Sequence, residues 1–367
     1  MIPLNKPYLP SFDKYQKYLT RMYDNVWLTN NGPLVQELTV KLKDYLGVKH
    51  LLLTCNGTMA LQIAYQALNL TGNAVTTPYT FIATSNSLDW LGLQTKFSDV
   101  DDTNLNLCPK TVVNAIDETT SAIVPVHVYG NPCDVDAFDT IGKQRELKVI
   151  YDAAHAFGIK KNNRSILTYG DASILSFHAT KLFHTLEGGA VIFNNEEDFK
   201  RAERMINFGI HAQTGDISRP GTNGKMSEAH AAMGLAMLED IDFVLARRRK
   251  HFELYQSLLS GVVNMPVWDK ESNQNYAYLP VIFETPEQCT KAFSALEDNS
   301  IQARRYFSPS LNTLTHLNDG QMYQCPVSES LATRTLCLPL YTDMLTDNVA
   351  TVCQVIIDFV QENRATP

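Results

Sequence analysis

The strongest constraint on this chain is an alternation. Through roughly the first 240 residues, short apolar runs of β type follow one another, separated by stretches with helical patterning. A strand that hands over to a helix and then to another strand favours parallel neighbours, because the helix carries the chain back across the sheet. Strands are expected at residues 50–54, 74–77, 122–126, 148–151, 172–177 and 190–193. Helices are expected at 58–68, 81–91 and 196–208, with one long helix from Ser227 to Leu259. The run Arg247-Arg248-Arg249-Lys250 on that helix reads as a solvated face. The pattern then restarts with a strand at 276–283, a helix at 286–299, a loop region with Pro and Tyr, and a last helix at 348–362. The expected fold class is α/β: a large domain over 1–245 with a mixed, mostly parallel sheet, and a smaller C-terminal α+β domain over 246–367.

Charge narrows the partners. With 31 basic and 39 acidic residues the net charge is -8, which argues against broad binding to nucleic acid or anionic membrane. Residues 1–7 lack the basic and apolar regions of a signal peptide, and no apolar run is long enough to cross a bilayer. The seven cysteines are scattered and form no CxxC pair, so reduced thiols in the cytoplasm are expected rather than disulfides or a structural zinc site. Cys55, in an apolar run, reads as a small core residue.

Four local features carry chemistry, each with a plainer use beside it. Asn56-Gly57-Thr58 follows a strand and opens a helix, where a close backbone, free N–H groups and the helix dipole favour a phosphate; the same run fits a simple N-capped turn. In Val149-Ile150-Tyr151-Asp152-Ala153-Ala154-His155, an apolar strand ends in a carboxylate at the end where open α/β sheets bind ligands. Asp152 there needs a cation, such as a protonated pyridinium nitrogen, to stay ionised, or it caps a helix; His155 by itself reads as structural. Lys181 lies just past a buried strand among Phe177, Leu182 and Phe183, a setting that depresses an amine's pKa, although most lysines snorkel to solvent. Ser176 is able to bond a phosphate, and Phe81 of Pro78-Tyr79-Thr80-Phe81 is able to cover a flat ring or to pack in the core.

Taken in order, these pieces resemble the DegT/DnrJ/EryC1/StrS aminotransferases, a family of fold type I enzymes dependent on pyridoxal phosphate (PLP). The likeness runs from Trp27-Leu28-Thr29-Asn30-Asn31-Gly32 through Val126-His127-Val128-Tyr129-Gly130, Ser176-Phe177-His178-Ala179-Thr180-Lys181 and Asn223-Gly224-Lys225-Met226-Ser227-Glu228 to Pro326-Val327-Ser328-Glu329 and Leu338-Pro339-Leu340. The resemblance implies that Lys181 is the Schiff-base lysine and proton carrier, that Asp152 partners the pyridine nitrogen, and that His155 lies near the ring hydroxyl. It further implies phosphate contacts from Gly57, Thr58 and Ser176, and ring stacking by Phe81. Asn223 would reach the phosphate of a neighbouring subunit, implying a homodimer with shared active sites. The family commonly has arginine where this chain has Lys225, which keeps the charge and loses the planar fork.

By the same resemblance the amino donor is L-glutamate and the acceptor a nucleotide-linked ketosugar. The spacing Lys181-x3-Thr185-x-Glu187-Gly188-Gly189 is similar to that of members aminating C4, above all those forming dTDP-4-amino-4,6-dideoxyglucose for O-antigen assembly. Amination at C3, or of a GDP- or UDP-linked ketosugar, is the alternative within this chemistry. A non-catalytic PLP-binding regulatory protein is the alternative of another class. Tyr306, Tyr341 and His211 are candidates for gripping the nucleotide.

Overall fold

A computed structural model describes residues 1–211, 213–217, 219–317 and 322–365. Two helices precede the expected alternation: α1 (Phe12–Asn25), capped by Ser11, and α2 (Pro33–Leu46), which opens on proline and ends at Gly47 in the left-handed conformation. Then come β1 (His50–Thr54), α3 (Gly57–Ala67), β2 (Asn73–Thr76), α4 (Ala83–Trp90), β3 (Gln94–Phe97), α5 (Pro109–Ala115), β4 (Thr120–Val124), α6 (Val135–Arg145) and β5 (Lys148–Asp152). A small hairpin of β6 (Lys160–Lys161) and β7 (Arg164–Ser165) leads to β8 (Ala172–Ser176), β9 (Gly189–Phe193) and α7 (Glu196–Met205).

The main sheet has seven strands in the order β1-β9-β8-β5-β4-β2-β3. Pairs from β8 to β3 are parallel, and β9 runs antiparallel to both of its neighbours, β1 and β8. The sheet is therefore mixed and mostly parallel, as the alternation predicts. The carboxyl ends of β1, β8 and β5 open on one edge, and this edge positions the site.

The expected helix from Ser227 to Leu259 is two helices, α8 (Glu228–Glu239) and α9 (Ile241–Leu259). Asp240 breaks it at φ -110° and ψ 4°, where its carboxylate accepts from the Tyr8 hydroxyl and from Lys14. The basic run is likewise only partly solvated: Arg248 is buried and donates to the carbonyls of Tyr276 and Ala277. The same bonds explain why the strand expected at 276–283 shrinks to β10 (Pro280–Ile282). Tyr276 sits at φ 57°, and its carbonyl faces a guanidinium instead of a neighbouring strand.

After β10 follow α10 (Pro286–Asp298), α11 (Pro326–Arg334), β11 (Thr335–Cys337), which pairs with β10, and α12 (Thr346–Ala365). One apolar core runs from Tyr18 to Val244 and a second from Phe252 to Phe359, so α9 contributes to both. The first residues join the C-terminal unit: Ile2 exchanges backbone hydrogen bonds with Ser300 and Gln302. Among the described residues, no helix is long and apolar enough to cross a membrane.

Candidate active site

Register brings the pieces together. Gly189, the first residue of β9, lies opposite Thr54 of β1 on one side and Ser176 of β8 on the other. A side chain at Gly189 would meet the Asn56 carbonyl at 2.6 Å, and one at Gly57 would meet Ser176 Cβ at 2.9 Å. Both glycines thus let the start of α3 close onto the end of β8. Asn56 caps that helix by accepting from Met59 N–H at 2.7 Å. The Gly57 and Thr58 amides have no intrahelical acceptor, and Gly57 lies against the Ser176 side chain. Glycine-opened space, N–H groups at a helix start and a hydroxyl form a donor set suited to a phosphate.

Asp152 ends β5 and is only 6% exposed. Its Oδ2 accepts from the Thr84 hydroxyl at 2.8 Å and its Oδ1 from Ala154 N–H at 3.1 Å. Burial pushes the carboxyl pKa above its ordinary value, while these two bonds and the charge of Lys181 pull against that rise. A buried carboxylate with donors on both oxygens and, among the described residues, no salt bridge to an arginine or lysine fits the protonated nitrogen of a pyridine ring.

Lys181 stands in the turn between β8 and β9, fixed by its N–H donating to the His178 carbonyl at 2.8 Å. Leu182 and Phe183 beside it are buried. Burial pushes the amine down to about 8, against the opposing pull of Asp152. Its Nζ donates to the Tyr278 hydroxyl at 3.3 Å. A lysine in this state presents free amine near neutral pH, the form that attacks a carbonyl carbon.

His155 lies three residues past Asp152 and is buried. Its Nδ1 accepts from Tyr129 N–H at 3.2 Å, and its ring lies 4.6 Å from that of Tyr278 and parallel to that of Phe307. Burial drives its pKa well below the ordinary value, and the charge of Lys181 adds to this. The imidazole is neutral, with Nδ1 the acceptor. Phe81 is 62% exposed on the loop before α4, so its ring face is open rather than packed in the core.

Asn223 is exposed, and the carbonyl of the next residue, Gly224, accepts from Cys55 N–H at 2.8 Å, two residues from Gly57. Lys225 Nζ donates to Asn207 Oδ1 at 3.1 Å and lies over the Phe208 ring. Cys55 is half-buried, and burial pushes its thiol up, as suits a packing residue. Of the nucleotide candidates, Tyr306 borders the site, with its ring 5.9 Å from that of Tyr278. Tyr341 is buried in the C-terminal core, which removes it as a ligand for a large substrate. His211 is held in a turn, accepting from Thr214 N–H.

Three residues that the sequence did not single out line this centre: Thr84, Tyr278 and Phe307. Thr84 lies 68 residues from the carboxylate it serves and Tyr278 lies 97 from Lys181, so no local pattern marks either.

The family model described as the DegT/DnrJ/EryC1/StrS aminotransferase family matches residues 12–357. The dTDP-4-amino-4,6-dideoxy-D-glucose transaminase of Shigella dysenteriae is 39% identical over 364 residues, covering 98% of each chain. The GDP-perosamine synthase of Vibrio cholerae is 30% identical, covering 98% of this chain and 99% of the relative. Among solved structures, DesI in the presence of its TDP-sugar product superposes with a TM-score of 0.94 at 33% identity, over 99% of this chain and 94% of that one. The chain belongs to the DegT/DnrJ/EryC1/StrS aminotransferase family, PLP-dependent enzymes of α/β architecture.

Proposed function

We propose that this chain aminates C4 of dTDP-4-keto-6-deoxyglucose, forming dTDP-4-amino-4,6-dideoxyglucose with L-glutamate as donor, which leaves as 2-oxoglutarate. The observation that carries the reading is the placement of Lys181, an amine near neutrality, with the buried, doubly hydrogen-bonded carboxylate of Asp152 in one centre. The 39% identity to the Shigella enzyme supports the dTDP sugar.

PLP supplies an aldehyde and an electron-withdrawing pyridinium ring. Lys181 would hold it through the aldehyde carbon and, once free, move the proton to and from the substrate carbon. Asp152 would keep a proton on the ring nitrogen, and Thr84 orients Asp152. His155 would be the neutral neighbour for the ring hydroxyl, Gly57, Thr58 and Ser176 would take the phosphate, and Phe81 would cover the ring.

By the family resemblance, Asn223, which is exposed, would complete the site of the partner subunit in a homodimer. Mixing inactive Lys181→Ala and Asn223→Ala chains tests this. Regained activity in mixed dimers is expected, and monomeric, fully active protein would refute it. The seven free cysteines support a reducing cytoplasm, where the product would feed O-antigen or another surface glycan.

A second reading, a GDP-linked 4-keto sugar, draws on the 30% identity to the Vibrio GDP-perosamine synthase. The decisive experiment incubates the holoenzyme with glutamate and a panel of 4-keto and 3-keto nucleotide sugars and defines each product by NMR. C4 amination of the dTDP sugar is expected. Turnover of a GDP-linked sugar in preference would favour the second reading, and amination at C3 would overturn the regiochemistry.

A further inference from the structure

Arg248 is buried on α9, and among the described residues no carboxylate pairs with it in a salt bridge. Its Nε donates to the Tyr276 carbonyl at 2.9 Å and its Nη2 to the Ala277 carbonyl at 2.7 Å. A buried guanidinium held by carbonyls is costly, and here its bonds fall on the two residues that lead to Tyr278. A second clamp closes on the same segment. Asn275 Nδ2 donates to the carbonyls of His155 and Phe157 at 2.8 and 3.0 Å, while its Oδ1 accepts from Ala277 N–H at 3.2 Å. Between the clamps Tyr276 is held at φ 57°, a conformation a tyrosine adopts only when its surroundings impose it.

The outcome of both clamps is the position of one phenol. The Tyr278 ring is enclosed by His155, Tyr129 and Tyr306, with centroids at 4.6, 5.7 and 5.9 Å. Its hydroxyl accepts from Lys181 Nζ at 3.3 Å. Lys181, Tyr278, Ala277, His155 and Ser176 line one small cleft.

We propose that Tyr278 is a positioning residue for the Lys181 amine, and that Arg248 and Asn275 form the clamp that keeps its hydroxyl in place. The proposal rests on Lys181 being the reacting lysine. A lysine side chain loses much of its rotamer freedom when it is held in one place. A fixed acceptor beside Nζ restricts the amine each time it is free, so that it returns to the same side of the reacting carbon. The charged groups facing Nζ from the neighbouring elements are Asp152 and, when ionised, Tyr306, both favouring the ammonium form. The Tyr278 oxygen, as acceptor, acts in the same direction.

The test reads the amine directly in the cofactor-free protein. Lys181 is acetylated with trace acetic anhydride across a pH series, and the labelled peptide is quantified by mass spectrometry. In Tyr278→Phe, loss of the acceptor should lower the labelling midpoint by about half a unit to one unit, the equivalent of one net hydrogen bond. In the holoenzyme kcat should fall about tenfold, with KM for the sugar changed less. Arg248→Lys, which keeps the charge and loses the fork, should move the midpoint the same way by a smaller step. A Tyr278→Phe midpoint equal to wild type overturns the proposal. Borohydride reduction of the wild-type holoenzyme separates the two ideas: cofactor fixed elsewhere than Lys181 removes the underlying reading, whereas cofactor on Lys181 with an unmoved midpoint removes only the role of Tyr278.

Discussion

The Thr84 hydroxyl donates to Asp152 Oδ2 at 2.8 Å, joining the start of α4 to the end of β5 across 68 residues of chain. Burial already favours the neutral carboxyl, so each donor that remains keeps the carboxylate charged for a pyridinium partner. Thr84→Val keeps the shape and removes the donor. Hydrogen bonds to charged groups contribute roughly 1.5–3 kcal/mol, so kcat/KM should fall about ten- to hundred-fold. Thr84→Ser should recover most of it. Thr84→Val at wild-type rate would remove this residue from the site.

Lys181 titrates to its free amine near pH 8 in the cofactor-free protein, because burial disfavours the ammonium. Acylation needs the unprotonated amine, so labelling of Lys181 should rise through about pH 8, whereas exposed lysines rise near their ordinary value of about 10.4. A Lys181 profile coinciding with that of the surface lysines would contradict the burial argument. Lys181→Ala should lose all turnover, with cofactor no longer fixed by borohydride.

Gly57 has no room for a methyl group, since a Cβ would lie 2.9 Å from Ser176 Cβ and 3.1 Å from its Oγ. Gly57→Ala should push the start of α3 away from β8 and cost about 1–3 kcal/mol, read as cofactor affinity weakened about ten- to hundred-fold. Equilibrium dialysis against PLP checks this, with circular dichroism to verify an intact fold. Unchanged affinity would place the phosphate elsewhere.

Glu228 is fully buried at the start of α8 and accepts from Leu34 and Val35 N–H at 2.8 and 2.9 Å, capping α2 with both oxygens. The carboxylate also complements the positive end of the α2 dipole. Glu228→Gln keeps the size, but its amide nitrogen faces an N–H donor, leaving one helix amide unsatisfied. A loss of roughly 1–3 kcal/mol in unfolding free energy follows, measurable by urea titration. No loss would mean that the cap is redundant.

The sequence by itself determined most strands of the main sheet and the handover to a helix after β1, β2 and β9, because alternation, capping and the Gly and Asn signals are local. His50–Thr54 forms its strand as expected, and most other elements differ by one to three residues at their ends. Lys181, Asp152 and Gly57 stood out because each lies at or just past the end of a β run, but a plainer local use fitted each, and the roles proposed for them came from the family resemblance. Edge strand β3, with only four residues and three of them polar, carries too little apolar pattern to be read. Tertiary structure decided the rest. The sheet order sets Thr54 and Ser176 on either side of Gly189, and the return of the chain after α9 brings Tyr278 to Lys181 from 97 residues away. It also decided that Arg248, in a run that reads as solvated, is buried to hold two carbonyls. Such contacts depend on which surfaces meet after folding, and hydrogen bonds between distant segments leave no periodic trace in either one.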